Sequence, residues 1–375
     1  MKLKILFTAS IPIHYKAFHL PYLKWFQEQG YETHVACNGY EELPYVDKIW
    51  QVDFIRSPFS LGHFKALGQL KKIIDSEGFI LINCHTPMAS VLTRLASIKA
   101  RRNGTKLIYT AHGFHFFNGS SLINWLVYYP IEILLSKYTD AIVCINSEDF
   151  QRIIKKGSSK CEYFIIPGIG VKGDRFFQIS NVKKNELRLS KGFNKGDFMI
   201  IYSAEFIDRK NHNFIINAVI KNKDKLKGVK ILFAGKGKLQ EVLENKVLKN
   251  NIQEVIQFIG FRKDINEIYQ LADLGISSSK QEGLGLNLVE EMMCGLPVVA
   301  TVDRGHKEII DNNLNGFLFE QGNKTQFIEC VLKLKNNKSM YNQFSKNALT
   351  KAEKFELTNS LKEMSDIYLK YLKKQ

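Results

Sequence analysis

No apolar run in this 375-residue chain approaches the ~18 residues needed to cross a bilayer. The opening Met1-Lys-Leu-Lys-Ile-Leu-Phe-Thr-Ala-Ser10 is too short in its apolar part for a signal peptide and runs on into structured sequence, so it reads as a first buried strand. No two of the six cysteines are paired as Cys-x-x-Cys, and several sit inside apolar runs. That excludes a disulfide frame or a cysteine-zinc site and suits reduced, buried thiols in the cytoplasm. No Asp-x-Asp occurs, so no divalent metal is implied. Negative charge is also in deficit: 37 Asp and Glu face 53 Lys and Arg, for a formal charge of +16. The excess is spread over both halves, which argues against a nucleic-acid-binding arm. Two basic clusters stand out, Arg94 to Lys106 and Arg152 to Lys160. Each has two readings: a patch for anionic lipid or a phosphate-bearing acceptor, or a solvated lysine-rich surface.

What is present is alternation. Short β-rich runs alternate with helical patterns: strands are expected at Lys4–Thr8, Glu32–Ala36, Ile80–Cys84, Lys106–Thr110, Ala141–Ile145 and Tyr163–Ile166. After a polar stretch over 172–197 the alternation restarts, with strands expected at Phe198–Ser203, Val229–Ala234, Val255–Phe258, Leu274–Ser278, Pro297–Ala300 and Gly316–Phe319. The pattern implies two α/β units of parallel strands joined by a linker. The final Phe355–Lys374 has the spacing of an amphipathic helix that needs a surface to lie on.

The most informative stretch is Ser277-Ser-Ser-Lys-Gln-Glu282-Gly283-Leu284-Gly285-Leu286-Asn287-Leu288-Val289-Glu290-Glu291-Met-Met-Cys-Gly295-Leu-Pro297-Val-Val-Ala300. It reads as a strand end, a glycine loop, a helix, a glycine stop and a proline leading into the next strand. Gly283 and Gly285 permit close backbone approach. The first helix amides, at Leu286 and Asn287, can receive a phosphate. Glu290, one turn into the helix, could reach a ribose diol, and Glu282 would face a sugar. The bland alternative, in which Glu282 caps the helix and Glu290 is solvated, is the commoner fate of an isolated Glu pair.

The surrounding segments change that balance, because in order they resemble the retaining glycosyltransferases of family 4. Glu282 through Glu290 matches the family's E-x7-E element, followed by Gly295-Leu-Pro297. Lys210 in Asp208-Arg-Lys-Asn-His212 fits its diphosphate-binding lysine, and Ala234-Gly235-Lys-Gly237 its small glycine loop. Phe258-Ile-Gly260-Phe-Arg262-Lys-Asp264 fits the nucleobase segment, and Gly305-His-Lys-Glu308 with Asn315-Gly316 the closing elements. Thr110-Ala-His112-Gly113-Phe-His115 resembles the histidine loop that faces the donor sugar.

The resemblance implies the α/β GT-B fold, two Rossmann-like domains facing each other across a cleft. Its expected boundaries are 1–180 with a C-terminal helix at 356–375 for the acceptor domain, and 181–355 for the nucleotide-sugar domain. It implies a retaining, metal-independent transfer from a nucleotide-sugar, a UDP-sugar by resemblance, to a glycan or polyprenol-linked acceptor in bacterial cell-surface polysaccharide or capsule synthesis. No cofactor and no nucleic-acid partner are expected. The protein would be cytoplasmic, with peripheral contact to an anionic membrane at its inner face. His112, Glu282 and Lys210 are the expected catalytic residues. Arg209, Lys210, Arg262, Gly283, Leu284, Gly285, Leu286, Asn287 and Glu290 would hold the donor, with His14 and His115 on the acceptor side. Packing roles remain open for both His14 and His115. Leu122–Tyr129, apolar and aromatic, reads either as a buried helix or as a face for membrane or polyprenol.

Two departures stand out. Ala204-Glu205 occupies the place where the family often has Gly-Arg, and Ser10-Ile-Pro12-Ile-His14 replaces its N-terminal glycine loop. Two other activities share the expected fold and nucleotide site: a sugar-nucleotide 2-epimerase, and a non-catalytic sugar-nucleotide-binding subunit.

Overall fold

The computed structural model describes residues 2–373; the last two residues of the expected 356–375 helix lie outside it. Two compact units form, one from the described residues up to 170 with those from 358 onward, the other from 171–357. In the first, β1 (Lys4–Thr8), β2 (Glu32–Cys37), β3 (Lys48–Gln51), β4 (Leu81–Cys84), β5 (Lys106–Ala111), β6 (Ala141–Cys144) and β7 (Glu162–Ile165) form a sheet of order β3-β2-β1-β4-β5-β6-β7. In the second, β8 (Phe198–Ser203), β9 (Val229–Ala234), β10 (Ile256–Gly260), β11 (Leu274–Ser277), β12 (Val298–Thr301) and β13 (Gly316–Phe319) lie in the order β10-β9-β8-β11-β12-β13.

The strand pairings are parallel, as the unbroken apolar runs require: a parallel strand is covered on both faces. Ile5, Leu6 and Phe7 of β1 and Ile200, Ile201 and Tyr202 of β8 are fully buried. Each sheet reverses its strand order once, between β1 and β4 in the first unit and between β8 and β11 in the second. At such a switch the loops leaving the two strands diverge to opposite faces, opening a crevice at the carboxyl ends of the strands.

The sequence reading needs correction in several places. The short strand β3 was not anticipated, because its Lys and Gln leave only Ile49 and Trp50 as apolar signal. The stretch 172–197 is not a plain linker. It contains the helix Asn181–Ser190, opened by the Ser180 side chain, which accepts from the Lys183 amide. Arg188 fastens that helix to the rest of the second unit, donating to the Asp273 carboxylate at 2.6 Å and the Leu271 carbonyl at 2.8 Å. A buried arginine, not an apolar stripe, ties this helix down, so periodicity missed it.

The C-terminal helix, Leu357–Leu372, returns to the first unit. Its Tyr368 is fully buried, and its hydroxyl accepts from the Asn83 side-chain amide at 2.6 Å; Asn83 in turn accepts from Thr110 at 3.1 Å. Tyr368→Phe leaves the Asn83 amide buried and unpaired. It should destabilise the protein by ~1–3 kcal/mol, read as a lower urea midpoint at unchanged slope. An unchanged midpoint would contradict this account of how the helix is anchored.

Candidate functional site

The second unit's switch point carries the residues that the sequence analysis expects to bind phosphate. The loop after β8 holds the short turn Asp208–Lys210, followed by Asn211 in the left-handed region at φ 53°. That turn is pinned from below. The Tyr202 hydroxyl donates to the Lys210 carbonyl at 2.5 Å, and Ser278, just past β11, donates to the Asn211 carbonyl at 2.9 Å. Held in this way, the Lys210 ammonium pairs with the Glu282 carboxylate, and Arg209 reaches the same carboxylate at 3.1 Å and the Gln281 carbonyl at 2.8 Å.

Glu282 is buried, which alone would favour its neutral form. Lys210 and Arg209 outweigh that burial and hold its pKa down at about 2. The backbone of its loop is bolted to the next helix, Arg304–Ile309, because the Asp303 carboxylate accepts both the Glu282 amide at 3.1 Å and the Gly305 amide at 2.8 Å. Gly305 has no room for a side chain, since a Cβ there would meet the Leu284 amide nitrogen at 2.8 Å. Three residues beyond Glu282, Gly285 adopts φ 99° and opens the helix Leu286–Met293. The first amides of that helix have no partner within it and carry its positive end. The structure therefore gathers Arg209, Lys210, Glu282, Gly283, Leu284, Gly285, Leu286 and Asn287 at one place. Glu282 there faces two cations, where the sequence reading gave it a sugar.

Glu290 lies on the same helix, and its carboxylate accepts from the Tyr269 hydroxyl at 3.2 Å. Tyr269 also shares a 2.5 Å hydrogen bond with Ser203. Ser203 lines a cavity of about 440 Å³ together with Glu205, Gly235, Phe261 and Arg262. Gly235 stands at φ 152°, and a Cβ there would collide with the Ala204 carbonyl oxygen at 2.0 Å. The Arg262 guanidinium is held bidentate on Asp264 at 2.8 and 2.5 Å, so its side chain is already committed to a carboxylate. Glu205, whose role the sequence left open, is on the wall of this cavity.

Sequence reasoning missed His306. It is fully buried beneath Gly285, and its Nδ1 donates to the Thr301 carbonyl at 2.8 Å. Burial depresses its pKa, so it supports the loop as a neutral ring.

The first unit's switch point brings together four histidines, of which only His14 and His112 were expected to matter. His14 follows β1, His85 follows β4 and His112 follows β5; His19 comes from the turn between the first two helices. His19 and His85 stack at 3.8 Å, and His112 Nε2 lies 3.3 Å from His85 Nδ1. Burial lowers all four pKa values, to about 2 for His14, about 4 for His112 and well below the ordinary value for His19 and His85. They stand as neutral imidazoles. One ring nitrogen from each lies within 4.8 Å of the others. Thr86, held at φ 59° by hydrogen bonds from Ser10, shapes this crevice. Position at a strand's carboxyl end was the available signal for His85. His115 is elsewhere: it packs on Tyr128 at 4.8 Å and lines an apolar cavity.

With this geometry in place, the comparisons with known proteins can be weighed. Residues 4–146 match the family model described as glycosyl transferase 4-like, and residues 183–351 that described as glycosyl transferases group 1. EpsD of Bacillus subtilis (strain 168), named for a glycosyltransferase, is 40% identical over 374 residues, covering 99% of this chain and 98% of its own length. The chain is a family 4-type glycosyltransferase. An Escherichia coli relative is 26% identical over 313 residues, covering 81% of this chain and 79% of its own; its name is UDP-Gal:alpha-D-GlcNAc-diphosphoundecaprenol alpha-1,3-galactosyltransferase. The crystal structure of Anabaena Alr3699/HepE with UDP and glucose superposes with a TM-score of 0.78 at 19% identity, covering 98% of this chain and 99% of that one. The last likeness places this glycosyltransferase in the two-domain GT-B fold.

Within that fold Glu290 has a measurable consequence. Burial pushes its pKa up to about 7. An unfolded Glu ionises near pH ~4.3. From there up to about 7 the unfolded chain gives up a proton that the folded state keeps, so stability is lost over that window and stays low above it. Glu290→Gln should therefore stabilise the protein by ~1–3 kcal/mol at about pH 8, and the gain should vanish near pH ~4. Urea unfolding at both pH values checks this; a gain independent of pH would refute the assignment.

Proposed function

We propose that this glycosyltransferase moves a sugar, with retention, from a UDP-sugar to a lipid-linked glycan acceptor in cell-surface polysaccharide synthesis. The observation that carries the reading is the convergence of Lys210, Arg209 and the Leu286 helix start on one switch point. Two cations beside a helix start would together serve as a diphosphate cradle made of protein groups. The neighbouring cavity supports a nucleoside: Glu290 would accept the ribose hydroxyls, and the Phe261 and Arg262 segment would border the base. The UDP in the name of the Escherichia coli relative and in the Anabaena complex supports the choice of uridine. That same relative's diphosphoundecaprenol substrate supports a lipid-linked acceptor.

In such a transfer the leaving diphosphate gains negative charge as the sugar becomes oxocarbenium-like. Lys210, Arg209 and the amides of Leu286 and Asn287 would meet that charge. Hydrogen bonds to charged groups are worth ~1.5–3 kcal/mol, so two or three that tighten in the transition state supply ~4–6 kcal/mol of barrier lowering. The acceptor hydroxyl would attack from the face that the phosphate leaves, with the phosphate as base. To His112 we assign, on the family resemblance alone, the orientation of the sugar; its neutral ring suits hydrogen bonding.

UDP should raise the melting temperature. Glu290→Ala should chiefly weaken UDP binding, while Lys210→Ala should chiefly slow transfer from a panel of UDP-sugars to membrane lipid extract, read by mass spectrometry. EDTA should leave the rate unchanged; a loss restored by zinc would instead place a working cation among the four histidines. Turnover of UDP-sugar without acceptor would point to an epimerase, and binding without any turnover to a non-catalytic subunit.

A further inference from the structure

The first unit holds an apolar cavity of about 310 Å³ that the donor chemistry does not use. Its wall comes from three segments: Pro58 to Leu67, Met88 to Leu95, and Phe114 to Ile131. Glu132 lines it, paired at 2.7 Å with the buried Arg94, so a charge-neutral ion pair underlies a mostly apolar lining that also carries His63 and His115.

The rim is unusual for a protein surface. Phe59 and Phe64 on the first segment are 79% and 76% exposed, and Leu122 and Leu126 on the third are 79% and 75% exposed. Phe59 and Phe64 both line the cavity, and exposed large apolar side chains gathered at a cavity mark an interaction surface. Charge is arranged around them. The helix Ser147–Lys156 lies beside the helix Leu122–Ser136, with Arg152 donating to the Phe116 carbonyl at 3.2 Å and its guanidinium 4.9 Å from the Trp125 ring. Beyond Arg152 that helix exposes Lys155 and Lys156. Arg56 lies two residues before Pro58, exposed, and its charge adds to the lowering of the His14 pKa that burial dominates. His115, on the cavity wall, is three residues from His112. The cavity wall thus includes Gly113, next in the chain to His112 of the histidine crevice, and Pro58, two residues from an exposed cation, with exposed hydrocarbon at Phe59 and Phe64. An amphiphile with an anionic head and a long apolar tail has this complementarity; a soluble glycan has none of it.

We propose that this cavity holds the first part of the isoprenoid chain of a diphosphate-linked acceptor, with Arg56 facing the diphosphate. The inference rests on the lipid-linked acceptor of the proposed function and adds the place where the lipid is held. Its remaining chain would run out over Phe59, Phe64 and Leu126, and Lys155 and Lys156 would favour an anionic leaflet.

The test is photolabelling of the full chain with a benzophenone-bearing farnesyl diphosphate, followed by peptide mapping. Label is expected on the three wall segments, displaced by undecaprenyl diphosphate and not by phosphatidylglycerol vesicles. Val91→Trp, which fills the cavity, and Phe64→Ser, on the exposed rim, should each cut labelling about tenfold. Both should retain the wild-type melting temperature and protection by UDP. Because Phe64 is exposed, its variant remains informative if Val91→Trp misfolds. Label spread over the surface, label unaffected by either variant, or displacement by phosphatidylglycerol alone would each overturn the proposal; the last would mean a membrane-docking face. Labelling as expected without UDP protection would leave the lipid site standing and reject the donor reading.

Discussion

The second unit depends on one carboxylate shared by two cations. Glu282 is buried, and a lone buried carboxylate would be protonated or expelled. Lys210 and Arg209 keep it ionised, and it in turn keeps their charges at the carboxyl end of β8 and β11. The trio carries a net positive charge beside the positive end of a helix. In the proposed function, an incoming diphosphate would meet a site already ordered, in which Glu282 is a resident anion that can be traded for a stronger one. This differs from a carboxylate aimed at a sugar: its first task is to hold the lysine in place while the site is empty.

The two sheets solve the same problem twice. Parallel strands bury both faces, leaving chemistry only to the loops at the strand ends, and the order reversal spreads those loops apart. In the second unit the loops carry charge, matched to a phosphate. In the first they carry four imidazoles that burial keeps neutral, with no carboxylate among the four. One crevice is thus built for anions and the other for uncharged polar groups, a division suited to a donor diphosphate and an acceptor hydroxyl.

Much of this was legible in the chain. Strands β1, β8, β9 and β13 fall where their apolar runs end, because a parallel strand is written as an uninterrupted hydrophobic word. The loop from Glu282 to Leu286 was legible because glycines and acids at fixed spacing are costly unless used. What stayed hidden was tertiary. Arg188 fastens a polar helix through Asp273, 85 residues away in the chain. His19 and His85 join His14 and His112 only once β1 and β4 are neighbours. His306 stands in a segment whose match was visible, but its place beneath Gly285 follows from the fold of the loop above it. Single residues that act across strands leave no local period to read.

The central claim is that Glu282 and a diphosphate compete for Lys210. UDP affinity of Glu282→Gln, measured by calorimetry, tests it most directly. The substitution keeps the hydrogen-bonding shape and removes the resident negative charge, so UDP should bind about tenfold more tightly than to the wild type. Weaker or unchanged binding would contradict the account.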